Sequence, residues 1–217
     1  MKNKIIVIAF AVIIAVLFVL PSSAAPICGT CGDRAYWSYD TRTATLSICG
    51  SGEMYDSMYV TPWNEYKEEI RTVFINGVTN VGEFAFYGCA SLKTVYLGYT
   101  VRSIDYYAFK SCTSLTTVYI PFGVNEIGWS AFENCTALKS VYIPPTLTTI
   151  RDWAFAECTA LTSITIPNSV MKIGNYAFDG SGLKNVYYLG SRRQWKNVDA
   201  GYYNDWLDGV NIICLRW

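Results

Sequence analysis

Eight cysteines are the residues of this 217-residue chain with the clearest capacity for chemistry. Cys28 and Cys31 have the Cys-x-x-Cys spacing that redox pairs and zinc sites use. A zinc site is disfavoured because the chain has only this one close pair and no histidine. The lack of histidine also removes histidine triads and imidazole acid–base catalysis. We therefore expect no metal ligands, no cofactor and no catalytic residues.

Four other cysteines recur every 23 residues, at Cys89, Cys112, Cys135 and Cys158. Equivalent residues on stacked strands are about 4.8 Å apart with parallel side chains, whereas a disulfide prefers Cβ atoms about 3.8 Å apart. We expect these four to be reduced and buried. An oxidising compartment would favour a bridge elsewhere, and Cys31 with Cys49 is the first choice. Cys214 has no evident partner.

Other residue types that could support catalysis or nucleic-acid binding give no pattern. Glu68 and Glu69 are adjacent in a predicted surface helix and point in two directions, which makes a poor acid–base pair. Lys and Arg number 17 and are balanced by 17 Asp and Glu, so no basic surplus holds a nucleic-acid backbone. Apolar residues make up 52% of the chain and charged residues 16%, which predicts a folded protein. Because no catalytic set is visible, we expect this protein not to be an enzyme.

The 23-residue spacing of the cysteines extends to other residue types. An Ala-Phe pair recurs with the same period. Further apolar residues, which begin three residues after each cysteine, also recur every 23 residues. A fixed period of this length is typical of a solenoid, because one unit cannot bury its apolar face alone and stacked units can. The pairs are Ala85-Phe86, Ala108-Phe109, Ala131-Phe132, Ala154-Phe155 and Ala177-Phe178.

Each unit contains a predicted strand and a predicted turn. Leu115 to Ile120 alternates apolar and polar residues before Pro121, which predicts a short strand, and Val124 to Ile127 predicts a second extended piece. Ala131, Phe132 and Cys135 are spaced i, i+1 and i+4, which predicts one helical turn with all three side chains inward.

The repeat resembles the BspA-like, or Treponema pallidum type, leucine-rich repeats. The residues from Ala154-Phe155 through Cys158, Leu161, Ile164 and Ile166-Pro167 to Ile173-Gly174 match the family repeat almost residue for residue. The resemblance implies an α/β leucine-rich-repeat solenoid, a right-handed superhelix dominated by β-structure with one short helical turn per 23-residue repeat. It also implies a secreted or cell-surface protein used in adhesion or protein–protein contact.

Both flanks are predicted to cap the stack. Residues 1–24 read as a signal peptide, with Lys2 and Lys4 before an apolar stretch and small residues at the end; the alternative is an uncleaved anchor. Removal of the signal peptide would leave no membrane span. Residues 25–69 are predicted to form an N-terminal capping module with a hairpin and a short helix. Residues 70–190 hold the repeats, and residues 191–217 form a C-terminal cap.

An outward-pointing aromatic row is the predicted partner-binding site. The residue between the two buried positions of each strand faces solvent, and most residues at this position are aromatic. The row is predicted to bind an extracellular protein or host-surface ligand; the alternatives are a carbohydrate-binding module, a cysteine-dependent enzyme, or tyrosines that only stabilise the sheet. Its aromatic members are Phe74, Tyr96, Tyr119, Tyr142 and Tyr187, with Thr165 as the exception.

Overall fold

The computed structural model describes residues 27–57 and 60–216. The predicted signal peptide lies outside the described residues. The described part is a solenoid in which six successive turns, or coils, each contribute one strand to each of two series, and a last coil adds a strand to the first series alone. Its one α-helix, α1 (Arg192–Trp195), has four residues, and no helix in these ranges is long and apolar enough to cross a membrane.

The strands follow the repeat. Neighbouring coils pair in parallel with equivalent residues opposite each other, so that Val118 pairs with Val141 and Ile127 with Ile150. The first series, called the main strands, is β4 (Thr72–Ile75), β6 (Thr94–Leu97), β8 (Thr117–Tyr119), β10 (Ser140–Tyr142), β12 (Ser163–Ile166), β14 (Asn185–Tyr188) and β16 (Asn211–Cys214). The second series, called the short strands, is β5 (Asn80–Val81), β7 (Ser103–Ile104), β9 (Glu126–Ile127), β11 (Thr149–Ile150), β13 (Lys172–Ile173) and β15 (Asp199–Ala200).

The N-terminal flank extends the first series. The strands β1 (Ile27–Thr30), β2 (Ala35–Asp40) and β3 (Thr45–Gly50) form an antiparallel meander, and β3 then pairs in parallel with β4. The hairpin predicted from the alternating residues is present. The helix predicted between Pro62 and Glu69 is only a 3-10 helix, Asn64–Tyr66.

The predicted helical turn in each repeat is not confirmed. Each coil instead has two residues with left-handed φ, four positions apart, such as Tyr107 (φ 58°) and Ser111 (φ 61°), which a helix cannot contain. Backbone N–H groups alternate between partners: Ala108 N donates to Asp105 O within the coil, and Phe109 N donates to Ala131 O of the next coil. The segment is therefore a run of tight turns bonded to the neighbouring coil.

A column of stacked phenylalanines runs through the core. Phe86, Phe109, Phe132, Phe155 and Phe178 are all fully buried, and the ring centroids of consecutive members are 5.2–5.4 Å apart with interplanar angles of 10° or less. These side chains therefore pile up layer on layer, as the repeat predicted.

Trp63 extends this phenylalanine column into the N-terminal flank. It lies 23 residues before Phe86, its ring stacks on Phe86 at 5.6 Å, and its indole Nε1 donates to Ala85 O at 2.9 Å. Because only 1% of Trp63 is exposed, this side chain covers the first layer of the stack. The sequence prediction placed Trp63 in the cap but missed its place in the column.

Candidate binding surface on the main strands

One row of side chains on the main strands points to solvent. Val95, Val118 and Val141 are buried, and the tyrosine that follows each of them points to solvent because alternate strand residues face opposite sides. The exposed fractions are 45% for Tyr96, 68% for Tyr119 and 56% for Tyr142. At the two ends of the row, Phe74 and Tyr187 are half-buried, and the exposed Thr165 interrupts the row before Tyr187.

The aromatic row is divided into pairs. Phe74 stacks on Tyr96 with ring centroids 4.6 Å apart and an interplanar angle of 7°, and Tyr119 contacts Tyr142 at 6.1 Å in a tilted arrangement. In the described part of the chain no ring contact joins Tyr96 to Tyr119. Equal spacing of the coils predicts a continuous aromatic row. The row instead has a gap between Tyr96 of β6 and Tyr119 of β8.

The gap coincides with an interruption in strand pairing. Pairing between β6 and β8 is limited to Thr94 with Thr117, whereas β4 and β6 pair over four residues. A second interruption divides the main strands into a sheet ending at β10 and a sheet of β12, β14 and β16. The short strands, in contrast, form one continuous sheet.

A groove of about 310 Å³ lies at the first interruption. Val95 and Leu97 give the groove part of an apolar lining, and tyrosines stand on both sides. Tyr99 and Phe122, which are 78% and 71% exposed, follow just beyond the carboxyl ends of the two strands. Their 23-residue spacing was visible in the sequence but was not used. The groove is lined by Thr94, Val95, Tyr96, Leu97, Thr117 and Tyr119.

The cysteines of the 23-residue ladder are buried, as predicted, and have a second role. Cys112 Sγ donates to Phe86 O of the preceding coil at 3.2 Å, and Cys135 and Cys158 repeat this contact with Phe109 and Phe132. Burial raises the pKa of Cys89 and Cys158 to about 12 and also raises the pKa of Cys112 and Cys135. A thiol with a raised pKa is a poor nucleophile at neutral pH.

The predicted Cys31–Cys49 bridge stays a prediction. Cys31 is buried, Cys49 is exposed, and all eight cysteines are free thiols in the structure. The two side chains are close enough to interact: burial, followed by the charge of Cys49, raises the pKa of Cys31 to about 12.

Stability should fall at alkaline pH because of the buried cysteine ladder. The folded state binds these thiol protons more tightly than the unfolded state does, so the stabilisation is complete below the unfolded pKa of about 8.5 and is lost as pH rises toward 12. The loss should be on the order of 1 kcal/mol per thiol for each pH unit in this window.

Urea unfolding at pH 7.5 and pH 10.5 measures this effect. The Cys112→Ala/Cys135→Ala variant should lose less stability between the two pH values than the original chain, although alanine lowers stability at both. An equal loss in the two proteins would show that the ladder does not cause the alkaline effect.

Acidic side chains gather near the N-terminal flank but form no metal site. A cavity of about 340 Å³ is lined by Asp33, Arg34 and residues 51–56, and Tyr55 Oη donates to Asp33 Oδ1 at 2.5 Å. Asp105 accepts from Asn80 Nδ2 at 2.9 Å, and burial raises the pKa of its carboxyl group. Within residues 27–57 and 60–216, no three His, Cys, Asp or Glu side chains are grouped to hold a metal ion.

Comparison with known proteins identifies relatives of both sequence and fold. A model of the BspA type leucine rich repeat region matches residues 66–195 in six copies. No curated protein matches the chain in sequence. The structure is similar to the T. pallidum leucine-rich-repeat protein, with 25% sequence identity, a TM-score of 0.53, and coverage of 77% of this chain and 78% of that one.

Two other bacterial structures are also similar. One is a leucine-rich cell surface protein from Faecalibacterium prausnitzii, with 28% identity, a TM-score of 0.49, and coverage of 77% of this chain and 56% of that one. The other is a leucine-rich-repeat protein from Eubacterium ventriosum, with 18% identity, a TM-score of 0.44, and coverage of 76% and 73%.

Proposed function

This chain belongs to the BspA-type leucine-rich-repeat family, and we propose that it is an exported, non-catalytic protein that binds another protein through its main strands. Export is supported by the charged, apolar and small-residue pattern of residues 1–24. Display at a cell surface and adhesion fit the same pattern. The proposed site consists of Phe74, Tyr96, Tyr119, Tyr142 and Tyr187 together with the groove.

The observation that carries this proposal is the exposure of large aromatic side chains on a rigid sheet. Tyr96, Tyr119 and Tyr142 are each at least 45% exposed, although burying such a ring is favourable. Tyrosine gives a large contact area at low conformational cost and is enriched at binding hot spots. Stabilisation of the sheet by cross-strand contacts explains the tilted pair at 6.1 Å but gives no reason for the exposed groove beside it.

A protein partner fits this surface better than a glycan. A sugar-binding platform needs free ring faces, and Phe74 and Tyr96 cover one face of each other at 4.6 Å. The exposed rings of Tyr96 and Tyr119 instead border an apolar groove, which suits the side chains of a polypeptide. A redox or cysteine-dependent reaction is disfavoured for the ladder by the raised thiol pKa values.

Replacing Tyr96, Tyr119 and Tyr142 together by alanine tests the proposal. Loss of three exposed rings should weaken partner binding at least tenfold, since interface hot spots cost about 2 kcal/mol or more each. Arrays of purified secreted and extracellular-matrix proteins, and a parallel glycan array, would measure binding of the original chain and the variant. The thermal unfolding midpoint should change little because the three side chains face solvent.

The matched control is Tyr106→Ala/Tyr202→Ala, which removes two exposed tyrosines outside the main strands. It should bind array proteins as the original chain does. Unchanged binding by the triple variant would remove the aromatic row as the site, and a saturable hit on the glycan array alone would favour the carbohydrate-binding alternative.

A further inference from the structure

Basic side chains precede four of the seven main strands. At equivalent positions of different coils, the residue just before the strand is Arg71, Lys93, Lys139 or Lys184, and all four are exposed. Among the described residues no ion pair involves any of the four. Their charge is therefore available to a ligand.

Acidic residues of the repeats are kept on other faces. The main-strand segments 92–102, 115–125 and 138–149 contain no Asp or Glu. Acids instead occupy the short strands and the turns, and two of them pair with bases there: Glu133 with Lys110 at 2.9 Å and Glu126 with Arg151 at 2.8 Å. A chain with no net charge thus presents a positive main-strand face.

The groove lies between two of these bases along the stack. Lys93 precedes β6 and Lys139 precedes β10, while the groove separates β6 from β8. Neighbouring strands are about 4.8 Å apart and β10 is two strands from β6, so the Cα atoms of Lys93 and Lys139 are roughly 10 Å apart. About three residues of extended peptide span this distance. The groove's volume of about 310 Å³ and its apolar lining suit one large apolar or aromatic side chain.

From this arrangement, and resting on the proposed function, we propose that the partner presents an acidic polypeptide segment that inserts one apolar side chain between Tyr96 and Tyr119 and places carboxylates against Lys93 and Lys139. Charge complementarity would guide the encounter and fix the register, while the buried side chain would supply most of the affinity. A sulfated glycan would meet the same lysines, but its hydrated rings have nothing to bury against Val95 and Leu97.

A copolymer of glutamate and tyrosine is a direct probe of this site. Fluorescence anisotropy of the labelled copolymer measures binding by the original chain, with polyglutamate, a lysine–tyrosine copolymer and heparin compared under the same conditions. The glutamate–tyrosine copolymer should bind at least tenfold more tightly than the other three. Its affinity should fall at 0.5 M NaCl, because salt screens exposed charges.

Two pairs of charge reversals separate a local effect from net charge. Lys93→Glu/Lys139→Glu should weaken copolymer binding at least tenfold, whereas Lys172→Glu/Lys196→Glu, which changes the net charge equally at exposed lysines elsewhere, should weaken it less than threefold. Equal losses in the two pairs, or tighter binding of heparin than of the copolymer, would overturn the acidic-segment proposal.

The Tyr96→Ala/Tyr119→Ala/Tyr142→Ala variant distinguishes this proposal from the proposed function. If array partners depend on the tyrosines but not on Lys93 and Lys139, the aromatic row stands as the binding site and the acidic-segment proposal is wrong. If array partners depend on neither set, the proposed function itself is wrong.

Discussion

Replacing Phe132 by alanine is expected to lower the free energy of unfolding by about 3–5 kcal/mol. Phe132 is fully buried and stacks on Phe109 and Phe155, each at 5.3 Å. Alanine would remove one ring of the column, with its contacts to the layers on both sides, and leave a cavity that the backbone bonds between coils prevent from closing. Urea unfolding followed by circular dichroism measures the change.

Two further variants make the Phe132 result interpretable. Phe132→Leu keeps most of the volume and should cost less than about 1.5 kcal/mol, so it remains measurable if the alanine variant does not fold. Tyr142→Ala, on the outward face, should cost less than about 1 kcal/mol. A cost below 1 kcal/mol for Phe132→Ala would mean that the phenylalanine column does not hold the coils together.

Replacing Trp63 by alanine is expected to have an effect of similar size, concentrated at one end of the molecule. Trp63 covers Phe86, contacts Trp37 edge to face at 6.1 Å and donates a hydrogen bond to Ala85 O. Its loss should cost about 3–5 kcal/mol, because a large buried ring is removed and a buried carbonyl loses its donor. Coils in a solenoid contact only their neighbours, so the damage should be local.

Amide hydrogen exchange would locate the Trp63→Ala effect. Protection should fall in residues 70–91 and be retained beyond Cys112. Trp63→Phe keeps a ring on the column but leaves Ala85 O without its donor, so it should cost a smaller 1–3 kcal/mol. Uniform loss of protection along the whole chain in Trp63→Ala would contradict the assignment of this residue as a terminal cover.

The periodic part of the molecule could be predicted from the sequence because each period places the same residue types in the same environment. The Ala-Phe pairs predicted the stacked core, and the alternating residues around Val118 predicted the outward direction of Tyr119, both of which the structure confirms. Trp63 was missed as part of the column because Trp replaces Phe there and Pro62 replaces Ala.

The turns could not be predicted because their hydrogen bonds depend on the neighbouring coil. The spacing of Ala131, Phe132 and Cys135 is compatible with a helix, and nothing within one repeat reveals that Phe132 N donates to Ala154 O. A left-handed residue as large as Trp153, at φ 60°, is also uncommon outside glycine and asparagine. The Trp153 ring stacks on Tyr176 of the next coil with ring centroids 4.3 Å apart, a contact that lies outside its own repeat.

The groove and the positive face were only partly accessible from sequence. The tyrosines are visible as periodic positions, and the basic residues recur at one equivalent position in several coils, although Thr116 and Thr162 interrupt them. The interruption between β6 and β8 has a weaker signal, because both strands carry the same alternating pattern. Pro121 follows β8 where Gly98 follows β6, and proline has no N–H to make the bond that Gly98 N makes to Ile75 O. The groove that results is a property of two neighbouring coils together, which a single repeat does not reveal.

The confinement of acidic residues to the short strands and turns has an evolutionary consequence. In-frame duplication of the gene segment for one coil would add about 5 Å of ligand-facing surface, because strands stack at that spacing, and would leave the Trp63 cover in place. The added coil would carry no acidic residue into the basic side, so the sign of its potential would persist. Reach and avidity toward a long partner would therefore change through copying events, with no need for new side chains.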